Sequence, residues 1–306
     1  MFLASIIISY LATLSACPGQ ASKGDSQPAA GASQKPWPQM PQTQAEGIQK
    51  GRALFNQTAL HLGPDQSTSA LKLAGNRLNC SSCHLNEGKL HNALSLIGVS
   101  QRYPAYYAPL DQQLTLSQRI DACFQRSLNG KPLSQTSLKA FVTYLDWLST
   151  DVPAEIASSA QKLPEFNLPT RASNLDSGRQ LYTYHCAACH GAQGQGVAKD
   201  ERNLSQGYTF PPLWGEDSFS KSSSLARLSL LTKYIKGAMP LNRPVLRPDE
   251  AYDVAGYILA QQRPELALQT TDYPNLKTKP FDVLFGPFSD SMPLMQHQLG
   301  PLPANP

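Results

Sequence analysis

Apolar residues recur at helical spacing in four segments of the chain, two in each half. The segments that open the halves are similar to each other: Gly51-Arg52-Ala53-Leu54-Phe55 in one and Gly178-Arg179-Gln180-Leu181-Tyr182 in the other. In both segments the apolar positions fall on one side of a helix. The similarity predicts an internal repeat of a small helical unit.

Each half also closes with an amphipathic helical pattern, which covers residues 134–148 in the first half and 249–262 in the second. Ser134 and Asp249 are predicted N-caps, because a short polar side chain can accept a hydrogen bond from the first turn of a helix. The pattern therefore predicts a mainly α fold built from two related domains.

Each half contains one Cys-x-x-Cys-His pentapeptide between its two helices. Two cysteines at this spacing form thioethers with one haem, and the histidine that follows becomes the fifth iron ligand. Two such motifs indicate a dihaem c-type cytochrome with two covalently attached haems. The predicted cofactor-binding residues are Cys80, Cys83 and His84 for the first haem, and Cys186, Cys189 and His190 for the second.

Met239 is the predicted sixth ligand of the second haem. It is followed by Pro240 and precedes the closing helix, where an electron-transfer cytochrome c places its axial methionine. A haem with histidine and methionine ligands has a raised reduction potential and no open coordination position. The second domain is therefore predicted to transfer electrons.

The first half has no methionine between His84 and the linker, so its sixth iron ligand must be of another kind, or the iron has an open site. Cys123 precedes the closing helix at the place of the missing methionine. It is either the ligand or a small buried thiol of the core; His61 and His91 are the competing ligands. A thiolate would stabilise ferric iron, lower its potential and offer a sulfur that exchanges with sulfur substrates.

The N-terminal residues 1–17 are typical of a lipoprotein signal peptide. An apolar run over residues 2–14 is too short to span a bilayer and is followed by Ser15-Ala16-Cys17. We expect a periplasmic protein that is lipidated at Cys17 and touches the membrane only through this anchor; an ordinary cleaved signal is the alternative. Residues 18–44 are rich in Ala, Gly, Ser, Gln and Pro, which predicts a flexible tether.

The remaining segments define the predicted domain boundaries. The chain of 306 residues has room for about two domains, which we expect at 45–150 and 173–265. Residues 151–172 are a proline-containing linker, and 266–306 are a proline-rich extension that packs on the domains. Four haem propionates would neutralise the formal net charge of +4, and no nucleic-acid-binding motif is present, so a nucleic-acid partner is excluded.

Several segments resemble the dihaem thiosulfate dehydrogenases and tetrathionate reductases. They are residues 79–86, 119–130, 210–215, 239–240 and 286–288, within a similarity that covers roughly residues 45 to 290. The resemblance implies oxidation of two thiosulfates to tetrathionate, or the reverse, at a haem ligated by His84 and Cys123. Cys123 would also be the candidate covalent carrier of the sulfane sulfur. Electrons would leave through the second haem to a soluble partner such as a small cytochrome c.

The same resemblance directs attention to two arginine positions. Arg119 lies one helical turn before Cys123, and its planar guanidinium suits sulfonate oxygens; a haem propionate is its alternative partner. Pro109 stands where the family often has a further arginine. Arg102 and Lys131 are the candidates that could supply the missing charge.

Three other classes of protein remain open from the sequence. The first is a pure electron-transfer dihaem cytochrome, with a first haem saturated by a residue such as His61. The second is a dihaem peroxidase, which offers no role for Cys123. The third is a docking subunit of a sulfur-oxidation complex, and the related Sox cytochrome with a cysteine-ligated haem is its nearest example. Ferric-haem spectroscopy separates the first two from a thiosulfate enzyme, and turnover of the isolated protein separates the third.

Overall fold

A computed structural model describes residues 45–303 of the chain. This part is mainly α-helical and contains two similar halves, which confirms the predicted fold class. The signal peptide, Cys17, the tether and residues 304–306 lie outside the described residues. Between residues 45 and 303, none of the helices has the length and apolar character needed to cross a bilayer.

The first half consists of five helices and one short hairpin. The helices are α1 (Ala45–Asn56), α2 (Thr58–Leu62), α3 (Leu85–Gly88), α4 (Leu116–Ser127) and α5 (Gln135–Trp147). Strands β1 (Ala105–Tyr107) and β2 (Gln112–Leu114) pair antiparallel, with Tyr106 opposite Gln113. Single 3-10 turns cover Ser69–Leu71, Cys80–Ser82, Val99–Arg102 and Ala108–Leu110. Ser134 caps α5 as predicted, because its hydroxyl accepts a hydrogen bond from the Ser137 amide at 3.2 Å.

The second half repeats this arrangement and is followed by the C-terminal extension. Its helices are α7 (Leu175–His185), α8 (Ala187–His190), α9 (Leu228–Ala238) and α10 (Pro248–Leu259), and strand β3 (Val197–Ala198) pairs antiparallel with β4 (Tyr208–Phe210). Its 3-10 turns cover Leu204–Gln206 and Ser224–Ala226. The extension contains turns at Ala267–Thr270 and Leu276–Thr278 and the short helix α11 (Leu294–Leu299).

Two local details differ from the sequence-based expectation. Asp249 is not the N-cap of α10, because the helix begins one residue earlier at Pro248, and Arg247 is its N-cap. Proline at the first helical position has the required φ and needs no amide partner, and the Glu250 carboxylate accepts the Arg247 amide at 2.8 Å. The linker also contains a helix, α6 (Ala154–Ala160), which starts directly after Pro153.

The repeat is visible where the opening and closing helices of each half cross. A Cβ atom on Gly51 of α1 would lie 2.1 Å from the Ala140 carbonyl oxygen of α5, and one on Gly178 of α7 would lie 2.2 Å from the Asp253 carbonyl oxygen of α10. Only glycine allows this close approach of two helix backbones. Both halves therefore use the same glycine-dependent helix crossing to place the haem motif that follows α1 or α7.

Hydrogen bonds connect the two halves, and all described residues belong to one compact unit. The side-chain amides of Asn76 and Asn129 both donate to the Ser218 carbonyl at 3.0 Å. The Arg77 backbone amide donates to the Asp217 carboxylate at 3.0 Å. The segment that follows β4 is thereby fixed against the first half before it enters α9.

Candidate active site

The first haem motif is held by a capped turn beside α2. Asn79 precedes the 3-10 turn Cys80–Ser82, and its backbone amide donates to the Ser82 hydroxyl at 3.0 Å. The Cys80 amide donates to the hydroxyl of the fully buried Thr58 at 3.2 Å. The His84 Nδ1 atom lies 2.7 Å from the Leu94 carbonyl oxygen. Because a carbonyl can only accept, Nδ1 carries the proton and Nε2 keeps the lone pair that an iron ligand needs.

The second motif has the same orientation of its histidine. The His190 Nδ1 atom lies 2.8 Å from the Pro211 carbonyl oxygen, which again leaves Nε2 for the metal. Burial lowers the pKa of His190, so the ring is held in the neutral form that metal binding requires.

The second motif opens into a cavity of about 400 Å³. Cys186, Cys189, His190 and Met239 all border it, so both predicted thioether sulfurs and both predicted axial donors face one space. Its apolar lining includes Leu213, Phe219, Leu231, Ile235, Val254 and Ile258. An apolar chamber with this donor set fits a c-type haem. Met292 and Met295 are 46% and 69% exposed on the extension, away from this lining.

Helix α4 places the candidate catalytic residues on one face. Thr115 and Gln118 cap its start, because the Gln118 amide donates to the Thr115 hydroxyl at 3.3 Å and the Gln118 side chain accepts the Thr115 amide at 2.9 Å. Arg119, Cys123 and Ser127 follow at intervals of one helical turn, so their side chains point the same way.

Cys123 faces the first haem motif. Its sulfur lies near the His84 ring and interacts with it electrostatically, and its Sγ atom lies 3.7 Å from the Ser127 hydroxyl. Burial alone would raise the pKa of Cys123, but the neighbouring His84 ring and the Arg119 charge outweigh it and bring the pKa to about 6. In contrast, burial raises the pKa of Cys80 to about 12. The thiolate form is therefore favoured at Cys123 and not at the thioether position.

The other candidate ligands are placed differently. Among the described residues, Cys123 is the candidate ligand whose sulfur interacts with the His84 ring. His91 is exposed. His61 lies on α2, and its Nε2 atom is buried with no hydrogen-bond partner between residues 45 and 303.

Arg119 extends from α4 over the hairpin. Its guanidinium carbon lies 4.7 Å from the centre of the Tyr107 ring, and its charge interacts with the Cys123 sulfur and with the Tyr103 hydroxyl. Although burial disfavours the charge, the neighbouring Tyr107 and Cys123 groups hold the pKa of Arg119 above its ordinary value. A permanently charged, aromatic-supported guanidinium beside a thiolate can bind a small anion next to that sulfur.

The C-terminal extension supplies part of the surroundings of this site. The Arg126 guanidinium lies 5.6 Å from the Tyr107 ring centre and forms a buried ion pair with Asp272, whose carboxylate accepts Nε at 3.0 Å. The next residue, Tyr273, donates its backbone amide to the Pro109 carbonyl at 2.8 Å. Arg126 is thus a second cation beside the Tyr107 ring.

The two residues suggested as replacements for the missing family arginine lie in different surroundings. Arg102 donates to the Ile97 and Ala157 carbonyls at 3.0 and 2.6 Å, so it ties α6 to the first half. Lys131 is exposed. The Arg102 guanidinium is therefore used to satisfy backbone carbonyls, and the compensating role of either cation stays a prediction.

Sequence reasoning missed several residues that contact the candidate catalytic groups. Ser127 could have been found by the same four-residue spacing that singled out Arg119. Tyr107, Arg126 and Asp272 carry no such local signal, because their contacts depend on how the hairpin and the extension fold back onto α4.

Comparison with known proteins places the two halves in two domain families. Residues 72–154 match the SoxA/TsdA cytochrome c domain. Residues 173–258 match the family described as cytochrome c oxidase, cbb3-type, subunit III. Both are cytochrome c families, and each match contains one of the two haem motifs.

Curated relatives cover most of the described chain. A thiosulfate dehydrogenase of Stutzerimonas stutzeri is 35% identical over 223 residues, which is 72% of this chain and 68% of the relative. One of Allochromatium vinosum is 36% identical over 234 residues, 74% of this chain and 82% of the relative. One of Psychrobacter arcticus is 35% identical over 204 residues, 66% of this chain and 61% of the relative.

A solved structure has the same fold. The as-isolated form of the thiosulfate dehydrogenase TsdBA from Marichromatium purpuratum superposes with a TM-score of 0.65 at 32% identity, covering 73% of this chain. This chain spans about half of that protein, 47% of its length. From these identities and the two domain matches, the chain belongs to the thiosulfate dehydrogenase family and is a two-domain c-type cytochrome oxidoreductase with two haems.

Proposed function

We propose that this protein oxidises two thiosulfates to tetrathionate, and can run the reverse reaction, at a haem with His84 and Cys123 as axial ligands. The observation that carries the proposal is the row of Arg119, Cys123 and Ser127 on one face of α4, with the Cys123 sulfur against the His84 ring. A cation and a hydroxyl on either side of a reactive sulfur suit a small sulfur anion.

The reaction joins the sulfane sulfurs of two thiosulfate dianions, releases one tetrathionate dianion and yields two electrons without taking up or releasing a proton. When bound, the two haems would accept these electrons, one each. In the covalent route, the Cys123 thiolate first bonds to the sulfane sulfur of one thiosulfate, with loss of two electrons. The second thiosulfate then attacks that sulfane sulfur, tetrathionate forms, and the Cys123 thiolate leaves.

Arg119 binds the sulfonate oxygens while the sulfane sulfur lies against Cys123. Its stacking on Tyr107 and its interaction with Tyr103 restrict the guanidinium, so little side-chain freedom is lost when the anion arrives. When Cys123 leaves as a thiolate it has no proton to donate, so the Ser127 hydroxyl, 3.7 Å from the sulfur, becomes the donor that stabilises it.

Electrons leave through the second domain, in which Met239 and His190 are the proposed axial ligands. Tyr234 of α9 connects the two haem pockets: its hydroxyl donates to the Cys83 carbonyl at 2.8 Å, and the residue lines the second cavity. Cys83 itself also borders that cavity. The proposed route therefore runs from the first haem attachment site through one hydrogen-bonded side chain to the second pocket.

The proposed location is the periplasm, with a lipid anchor at Cys17 and an external acceptor such as a small soluble cytochrome c. A Cys17→Ser variant should move from the membrane to the soluble fraction with its haem content and turnover unchanged. If the unaltered protein is already entirely soluble, the anchor is ruled out.

The decisive test is turnover of the isolated protein in both directions, with thiosulfate and an oxidised artificial acceptor, and with tetrathionate and a reduced donor. Cys123→Gly should keep both covalent haems, make the first haem high-spin or water-bound, and abolish tetrathionate formation. Arg119→Ala should keep the low-spin spectrum and raise the half-saturating thiosulfate concentration about tenfold or more, since a hydrogen bond to a charged group contributes about 1.5–3 kcal/mol.

Arg179→Ala is the matched control, because Arg179 is an exposed arginine on α7 and its loss should leave the kinetics unchanged. Retained low-spin signals and normal turnover in Cys123→Gly would refute both the ligand and the reaction. Active electron transfer without thiosulfate turnover in the unaltered protein would instead favour a pure electron-transfer cytochrome or a Sox-type subunit.

A further inference from the structure

Ser127, which is hydrogen-bonded to the Cys123 sulfur, is also hydrogen-bonded to a residue of the second half. The Ser127 hydroxyl oxygen lies 3.0 Å from the hydroxyl oxygen of Ser223, a residue of the second half. Ser223 is 5% exposed, and its side chain does not cap the 3-10 turn that it precedes. Within residues 45–303, the Ser223 hydroxyl is therefore hydrogen-bonded to Ser127 and not to a backbone amide of the 3-10 turn Ser224–Ala226.

The protons in this chain of groups can be assigned from the chemistry of the sulfur. A thiolate has no proton to donate, so the Ser127 hydroxyl must donate to Cys123. The Ser127 oxygen is then left as an acceptor, and the Ser223 hydroxyl is the donor across the domain boundary. A hydroxyl that is itself the acceptor of a hydrogen bond becomes a better donor, because successive bonds polarise one another.

We propose that Ser223 is a positioning residue for the Cys123 sulfur: it fixes the rotamer of Ser127 and keeps that hydroxyl directed at the thiolate. This inference rests on the proposed ligation by Cys123 and extends it across the domain boundary. Hydrogen bonds around an axial ligand tune the reduction potential of a haem. The second domain thereby sets the electronic properties of the first haem through one serine.

The chain provides two neighbouring serines as controls. The buried Ser222 hydroxyl has no hydrogen-bond partner among the described residues, so Ser222→Ala removes a hydroxyl without removing a bond. The Ser220 hydroxyl crosses the same boundary to the same helix, where it donates to the Arg126 carbonyl at 2.7 Å, but it does not contact Ser127. Ser220→Ala therefore reports what loss of an inter-domain bond does by itself.

The experiment uses the dihaem protein and measures the potential of each haem by redox titration and the ferric signals by electron paramagnetic resonance. Ser127→Ala should lower the potential of the first haem, because the sulfur loses a donor and becomes a stronger electron donor to iron. Ser223→Ala should shift it in the same direction by a smaller amount. Ser223→Ala added to Ser127→Ala should have no further effect, since the two residues act in series.

Ser222→Ala and Ser220→Ala should leave the first-haem potential unchanged, although Ser220→Ala should lower thermal stability. Steady-state kinetics should show the Ser223→Ala effect in kcat more than in KM, because the residue touches the sulfur's partner and not the substrate. The inference is overturned if Ser223→Ala matches Ser222→Ala in potential and spectra, or if its effect adds fully to that of Ser127→Ala. If Cys123→Gly leaves the first-haem spectrum unchanged, the ligation itself fails, and that result is distinguishable from failure of Ser223 alone.

Discussion

Replacing Asp272 by asparagine tests how firmly the C-terminal extension is fixed to the active-site helix. Asp272 and Arg126 form an ion pair whose side chains are 1% and 4% exposed. Asp272→Asn keeps the size of the side chain, removes its charge and replaces one of the two oxygens that accept from Arg126 by an NH2 donor. Arg126 would then be a buried cation beside the Tyr107 ring with no carboxylate to compensate it.

The magnitude follows from burial. Removing one partner of a buried ion pair costs roughly 3–5 kcal/mol, because the remaining charge stays desolvated. The matched control is Glu165→Gln, which removes the partner of Lys233. That pair joins atoms 2.8 Å apart, but the Glu165 side chain is 75% exposed, so its loss costs about 1 kcal/mol or less.

The assay is unfolding of the full dihaem protein, followed by circular dichroism. Since each kcal/mol shifts the midpoint by about 2–4 °C in a chain of this size, Asp272→Asn should lower it by roughly 6–20 °C and Glu165→Gln by a few degrees at most. The double variant Arg126→Met with Asp272→Leu should recover much of the loss. If Asp272→Asn is no less stable than Glu165→Gln, the buried pair does not hold the extension.

Three further predictions concern the haem pockets and the repeat. Met239→Gly should retain both haems and change the potential of one; unchanged potentials in a redox titration would exclude Met239 as a ligand. Tyr234→Phe should slow electron transfer between the haems in stopped-flow reduction, whereas Tyr182→Phe, which loses a hydroxyl bond within one domain, should not. Gly51→Ala should lower the unfolding midpoint by several degrees, since its Cβ would meet a backbone carbonyl.

The repeat, the fold class and the haem motifs could be predicted because each depends on residues close in sequence. A helix is predicted by the spacing of its own side chains, and the Cys-x-x-Cys-His motif carries its two sulfurs and one nitrogen within five residues. Cys123 was found in a similar way, from its position before α5 and from the small number of cysteines. The N-cap of α10 was misplaced by two residues, at Asp249 instead of Arg247, because Pro248 favours the first helical position more strongly than Asp249 favours the cap.

The surroundings of the site could not be predicted, because they depend on long-range contacts. Asp272 pairs with Arg126, 146 positions earlier in the chain, and Ser223 meets Ser127 across the domain boundary. The identity of a serine or an aspartate does not indicate which residue it will contact. This sequence contains several serines and aspartates that could equally be the partners of Ser127 and Arg126. These contacts become visible only when the packing of α4 against the extension and the second half is known.

The contacts of residues 218–239 explain why the two similar domains are not interchangeable. This segment belongs to the second half, yet it meets the first half at Ser218, at Ser223 beside the Cys123 helix, and at Tyr234 beside Cys83. It then ends at Met239, the proposed ligand of the exit haem. Under the proposed ligation, one continuous segment contacts the serine that is hydrogen-bonded to the reacting sulfur, lies on the path that electrons take and supplies the ligand of the haem that receives them. A shift of α9 along its axis would therefore alter all three together, and the two haems should respond as a coupled pair to any change in this segment.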